Sequence, residues 1–328
     1  MTPQSATAVI EAGGPEVARA VRVLADGGLV AFPTETVYGL GADATNGEAV
    51  ARLYDAKGRP SFNPLIAHVA DVAAARALGR FDQAAERLAA AFWPGPLTLV
   101  LPKVPGCAVA ELATAGLDTI AVRVPSHVVA REILAAFRRP VVAPSANRSG
   151  HVSPTTAAHV LADLSGRIAL IVDGGATPMG LESSIVACLD RPALLRPGAL
   201  PRAEIERIVA LVDAPDIEPA ADADVPIAPG QLASHYAPRA RLRLDADRVQ
   251  TGEALLAFGP AALPGAEQAI SVLNLSKRRD LIEAAANLFS HLRALDASGA
   301  AMIAVMPIPH EGLGEAINDR LARAAAPR

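Results

Sequence analysis

The segment Lys57-Gly58-Arg59-Pro60-Ser61-Phe62-Asn63-Pro64-Leu65 sets two cations one glycine apart and fixes the turn with two prolines. That arrangement suits an anion such as a polyphosphate, because a guanidinium offers a planar fork of donors and an ammonium a compact point charge. Lysine takes only three of the chain's 30 Lys and Arg positions, so an ammonium here is a mild sign that one is wanted. A lone K-x-R is also what a solvated basic turn looks like. Four further segments add polar groups beside apolar runs. Pro33 to Gly41 (PTETVYGLG) alternates hydroxyls with glycines, which lets the backbone approach a small ligand, and otherwise reads as a polar strand end and turn. In Asp118 to Pro125, alternation puts Arg123 on the face opposite Val122 and Val124. An arginine inside an apolar strand needs an anion, either a structural carboxylate or one belonging to a substrate. Pro140 to Gly150, running on to Ser153, is dense in hydroxyl, amide and guanidinium donors and resembles a phosphate cradle. Glu182-Ser183-Ser184 and Leu195-Arg196-Pro197-Gly198 add hydroxyls and another cation. His68, on the run after the first segment, is by itself an ordinary core histidine. Ser234-His235-Tyr236-Ala237-Pro238 either folds back over a site or starts a second domain, and the second is the simpler reading.

The missing motifs narrow the chemistry. GKS and GKT are absent, as is a G-x-G-x-x-G opening a helix, so neither a Walker P-loop nor a dinucleotide fingerprint is expected. There is no HExxH or Cys/His cluster, and no protein-held transition metal is expected. There is no G-x-S-x-G elbow for an acyl-transfer serine. Cys107 and Cys188 lack CxxC spacing, which fits reduced thiols in a cytoplasm. Apolar stretches fall short of the ~20 residues needed to cross a bilayer, so no membrane role is expected. The net charge of −4, with acidic and basic residues balanced over residues 1–210, argues against a polycation that coats nucleic acid; any RNA contact should be local and weak.

The elements that must position these groups follow from periodicity. Helices fit Pro15 to Asp26, Gly47 to Ala56, Gln83 to Ala91, His127 to Phe137 and Thr155 to Leu164. Strand-like runs lie between them, at Leu29 to Phe32, Pro64 to Val69, Leu97 to Leu101, Thr119 to Val124, Val141 to Ala143, Ala169 to Val172 and Ser184 to Leu189. Such alternation predicts an α/β domain with a mixed, twisted sheet. Residues 211–230 combine Pro, Ala and acidic residues with no basic one and read as a linker. Beyond it, strands at Arg241 to Leu244, Ala254 to Phe258, Ile270 to Leu273 and Met302 to Met306, with helices at Arg279 to Leu295 and Gly314 to Arg323, predict a smaller α/β domain. In open α/β sheets ligands bind beyond the carboxyl ends of strands, where the polar loops can converge. From the residues alone, this is an α/β enzyme with an anion-binding, hydroxyl-rich site.

PTETVYGLG, KGRPSFNPL, WPGPLTLVL, VRVPSH, APSANRSGHVSPT, ESSIV, LLRPG and HYAP, in that order over residues 33–238, together resemble the YrdC-like family of threonylcarbamoyl-adenylate synthases in its long form. The resemblance implies a YrdC-like domain over residues 1–208, a linker and possible lid over 209–238, and a Rossmann-like accessory domain over 239–328. It implies a cytoplasmic nucleotidyltransferase that joins L-threonine, bicarbonate or CO2 and ATP, with Mg²⁺ accompanying the ATP. Its product would pass to a separate complex that modifies a tRNA adenosine. On this chain Lys57 and Arg59 would hold ATP phosphates as the catalytic pair. Asn63, Thr119, Ser145, Asn147, Ser153, Arg196 and Tyr236 would complete the nucleotide site. Threonine would lie against Thr36, His68, Arg123 and Ser183, with Arg123 pairing its carboxylate.

Overall fold

The computed structural model describes residues 6–212 and 235–327, so most of the expected linker lies outside the described residues. The larger unit is a ten-stranded mixed sheet built from β1 (Ala8–Glu11), β2 (Val30–Pro33), β3 (Tyr38–Asp43), β4 (Ile66–His68), β5 (Leu97–Pro102), β6 (Thr119–Arg123), β7 (Val141–Val142), β8 (Leu170–Asp173), β9 (Ser184–Ala187) and β10 (Ala193–Arg196). Across the sheet they run β1-β8-β2-β3-β7-β4-β6-β5-β9-β10, with parallel pairs such as β4/β6 and β5/β9 next to antiparallel ones such as β2/β3 and β5/β6. Side chains alternate between two cores, as a period of two requires. On β2, Ala31 faces the larger cluster with Leu40, Leu53 and Leu99, while Val30 and Phe32 face a second cluster with Leu24, Ile133 and Val172.

The helices cover both faces: α1 (Gly14–Ala25), α2 (Gly47–Lys57), α3 (Val72–Arg76), α4 (Gln83–Phe92), α5 (Val128–Phe137), α6 (Ala157–Leu164) and α7 (Arg202–Glu206). β1, β10, α3 and α7 are elements that the sequence reading did not expect, and one further segment departs from it. Tyr38–Asp43, expected as a loop, is a strand antiparallel to β2. Its two glycines suit it to the place, since a Cβ on Gly41 would meet Phe32 at 2.7 Å.

The smaller unit is a parallel sheet in the order β11-β14-β12-β13, from β11 (Arg241–Arg243), β12 (Glu253–Ala257), β13 (Val272–Asn274) and β14 (Met302–Val305), packed by α8 (Leu281–Ala297) and α9 (Leu313–Ala325). Its core reaches into the larger unit: Val37, Val152 and Leu181 pack with Leu288, Phe289 and Ile317. Ion pairs among the described residues also join the units, including Arg202–Glu315 at 2.8 Å, Arg293–Asp163 at 2.9 Å and Arg320–Glu182 at 2.8 Å. No described helix is long and apolar enough to cross a membrane.

Candidate active site

Helix α2 delivers the first cation. The Asn46 side chain caps its start, accepting from Glu48 N and Ala49 N, and Gly58 in the left-handed conformation (φ 59°) ends it directly after Lys57. The ammonium therefore sits at the negative end of a helix dipole. Lys57 Nζ donates to the carbonyls of Ser145 and Asn147, each at 2.5 Å. Both acceptors are neutral. Burial, with Arg59 adding to it and Asp163 partly opposing, pulls the Lys57 ammonium well below the usual lysine range. Arg59 closes its own loop, donating to Asn63 O at 3.4 Å and Pro64 O at 3.1 Å, and burial lowers it to about 10. The Asn63 and Asn147 side-chain oxygens are buried with no partner among the described residues. Unpaired acceptors of this kind are costly unless a ligand donates to them.

A second group of residues meets where β4 and β6 end and β5 and β9 begin. Because β5 is antiparallel to β6 and parallel to β9, strand starts and strand ends share this edge. The carboxyl-end rule of parallel sheets thus accounts for His68 and Arg123, whereas Glu182 and Ser183 precede their strand. Arg123 has a structural carboxylate: Nη2 donates to Glu35 Oε1 at 2.7 Å, Nη1 to Thr36 Oγ1 at 3.0 Å and Nε to Gly95 O at 3.3 Å. Burial alone would raise the Glu35 carboxyl, but Arg123 and the Ser126 N–H outweigh it and hold it below the usual range. His68 Nδ1 lies 3.2 Å from Ile66 O, which can only accept, so Nδ1 carries the proton and Nε2 keeps a lone pair. Burial and the neighbouring Arg123 push His68 down to about 3, so it is neutral at physiological pH. The Ser183 hydroxyl is 2.7 Å from Thr98 Oγ1 and accepts from Arg196 Nη2 at 3.3 Å. Gly198 is obligatory here, because a Cβ would lie 2.5 Å from the backbone of Glu182, Ser183 and Ser184.

Thr36, Arg59, His68, Arg123, Ser145, Ser183, Arg196 and Tyr236 all line one cavity of about 50 Å³. Lys57 and Asn147 adjoin it through Ser145 and the lysine bonds, and Ser153 through a 2.5 Å bond from its hydroxyl to Glu182. Thr119, at the first position of β6, does not line it. A larger cleft of about 770 Å³ between the units gathers Asp163, Arg293 and Asp296 but none of the expected site residues. The segment expected to begin the second domain instead separates the two spaces. His235 and Tyr236 face the cavity, while Ala237 and Pro238 face the cleft. Tyr236 (φ 62°) stacks on Phe289 at 5.7 Å, and His235 N donates to Arg323 O. Burial, then Arg59, Lys57 and Arg196, drive His235 well below its usual range, which marks a strongly positive environment.

Among the residues of this site that sequence reasoning missed are Glu35, Glu182 and Arg320. The first two stand inside quoted motifs without a role. Arg320 lies 138 residues from the glutamate it meets and carries no local signal.

Fold and cavity define a mixed-sheet α/β protein with a closed, cationic, hydroxyl-lined site completed by a second domain. A family model described as "Telomere recombination" matches residues 22–198, and one described as "Threonylcarbamoyl-AMP synthase, C-terminal domain" matches residues 200–326. The chain is 41% identical over 327 residues to a threonylcarbamoyl-AMP synthase of Bacillus subtilis, covering 96% of this chain and 94% of that protein. It is 42% identical over 319 residues to one of Pyrococcus abyssi, covering 92% of each. The crystal structure of P. abyssi Sua5 complexed with L-threonine superposes with a TM-score of 0.88 at 38% identity, covering 97% of this chain and 98% of that one. The chain belongs to the threonylcarbamoyl-AMP synthase family.

Proposed function

We infer that the chain joins L-threonine, bicarbonate or CO2 and ATP into threonylcarbamoyl-AMP and pyrophosphate, the activated intermediate for modifying a tRNA adenosine. The observation that carries this is the alignment with named synthases along nearly the whole chain, including both units. The cavity's chemistry supports it. Threonine's amine takes up CO2, and an oxygen of the resulting carbamate attacks the α-phosphorus in line as pyrophosphate leaves. Such a reaction asks the protein to align anions and stabilise phosphoryl charge, not to supply a nucleophile.

Lys57 and Arg59 are assigned to the phosphates, with Asn63, Thr119, Ser145, Asn147, Ser153 and Arg196 around the nucleotide and Tyr236 closing over it. An arriving phosphate would return to Lys57 the charge that burial disfavours. Thr36, His68, Arg123 and Ser183 are assigned to threonine. Arg123 already holds Glu35, so a substrate carboxylate would use its remaining N–H groups. The neutral His68 offers a lone pair to a hydroxyl or amine. Mg²⁺ belongs to this scheme as part of the Mg-ATP substrate. No group of three or more His, Cys, Asp or Glu gathers among the described residues, and the donors here suit phosphate oxygens, which would carry the ion with water. Residues 1–208 serve as the catalytic unit, 209–238 as the connection and 239–328 as the accessory unit. The reaction belongs in the cytoplasm, and the product passes to a separate tRNA threonylcarbamoyltransferase complex. Labelled bicarbonate entering an adenylate only when threonine and ATP are both present is the expected result. Labelling that ignores threonine would overturn the substrate assignment.

A further inference from the structure

Glu182 is out of place in a cavity that otherwise collects cations. Glu182 lines the same cavity as Arg59 and Arg196 and is buried. A carboxylate there opposes an incoming polyphosphate, and salt screens buried charges poorly. Its partner comes from the other unit. Arg320 on α9 is wholly buried, and its Nε donates to Glu182 Oε2 at 2.8 Å. Its Nη2 donates to Pro197 O at 2.9 Å and its Nη1 to Asp319 Oδ2 at 2.5 Å. The other Glu182 oxygen accepts from Ser153 at 2.5 Å. The guanidinium carbon lies 5.1 Å from the centre of the Tyr236 ring.

We propose that Arg320 is a positioning residue for the nucleotide. By pairing with Glu182 across the domain interface, it neutralises the carboxylate that, among the described residues, lines this cavity and would repel the ATP phosphates. It also leaves that carboxylate oriented to hold Ser153. The smaller unit thereby has an electrostatic task in the reaction, beyond covering apolar surface. The proposal rests on the assignment of Ser153 and Arg196 to the nucleotide. A purely structural clamp on Pro197 and Tyr236 would use the same contacts, so the test must separate charge from shape.

The test uses the full chain, with folding of each variant checked by thermal melting. Mg-ATP binding is followed by calorimetry, and the KM values for ATP and threonine come from pyrophosphate release. Arg320→Gln, which removes the charge, should weaken ATP binding roughly 10- to 100-fold and leave the threonine KM within about twofold, whereas Arg320→Lys, which keeps the charge, should stay within a few-fold of the parent. The double variant Arg320→Gln with Glu182→Gln should recover most of the lost ATP affinity, because the cavity-lining carboxylate goes with its partner, while Asp319 keeps its pairing with Arg323 at 3.0 Å. Should Arg320→Gln fail to fold, Glu182→Gln alone decides: it should bind ATP several-fold more tightly. The proposal is overturned by unchanged ATP binding in Arg320→Gln, by equal losses in the Lys and Gln variants, by a double variant that stays weak, or by weaker ATP binding in Glu182→Gln. A parent chain that bound no Mg-ATP would contradict the nucleotide assignment itself, so the two failures are distinguishable.

Discussion

Among the described residues Lys57 is held by two carbonyl oxygens and by no carboxylate, so its ammonium is positioned by neutral acceptors. A donor of that kind acts where charge develops, and removing one such group typically costs about 10²–10³ in rate. Lys57→Met should therefore lose threonine-dependent pyrophosphate release by at least ~10²-fold while still unfolding cooperatively, and near-parental turnover would refute its role. His68 leads to a prediction about stability. Its folded value, about 3, is far below the 6.5 of a free histidine, so the unfolded chain binds a proton that the folded one refuses. The stabilisation is complete above pH 6.5 and is lost as pH falls from there towards 3. The slope from this one group is at most about 1.4 kcal/mol per pH unit. Urea unfolding at pH 8 and pH 5 should show the loss, and a neutral replacement such as His68→Gln should flatten it.

At the scale of elements, the end of α2 and the β2–β3 turn set the geometry. Gly58 has open space around its Cα, so Gly58→Ala tests backbone strain alone. It should cost about 1 kcal/mol of stability and lower activity by displacing Lys57 and Arg59, both readable from melting and turnover. The turn holds Glu35 against Arg123, so Glu35→Gln should raise the threonine KM roughly tenfold with little change for ATP, as loss of a charge-assisted hydrogen bond would do. Equal shifts in both KM values would contradict that division of labour. Most elements around these positions were legible in the sequence. Helices such as α2 and α5 and apolar strands such as β5 and β6 follow from hydrophobic period and from glycine or proline stops. Strand β3 was hidden because its YGLGAD sequence spends two of six positions on glycine, and only close packing against Phe32 and Ala143 explains them.

At the scale of the whole molecule, a space of about 50 Å³ is far below the 300–1,000 Å³ of ordinary ligand pockets. Its wall at His235 and Tyr236 is fastened to the smaller unit through Phe289 and Arg323. Tyr236→Ala should lower the melting temperature and raise the ATP KM; a variant with the parental ATP KM would remove Tyr236 from the nucleotide site. The sequence names HYAP but cannot tell where it packs, because Phe289, Arg320 and Arg323 approach it from 53 to 88 positions away. The carboxylate partner of Arg123 was likewise undecided by alternation, since Glu35 lies 88 residues away on another strand's turn. Motif order thus located the cation and hydroxyl clusters, while the charges that balance them depend on tertiary packing.

The most direct measurement of the central claim is pyrophosphate release from Mg-ATP by the full chain, with threonine and bicarbonate omitted in turn. The account predicts release only when both are present. Release that continues without threonine, or none at all from well-folded protein, would contradict it.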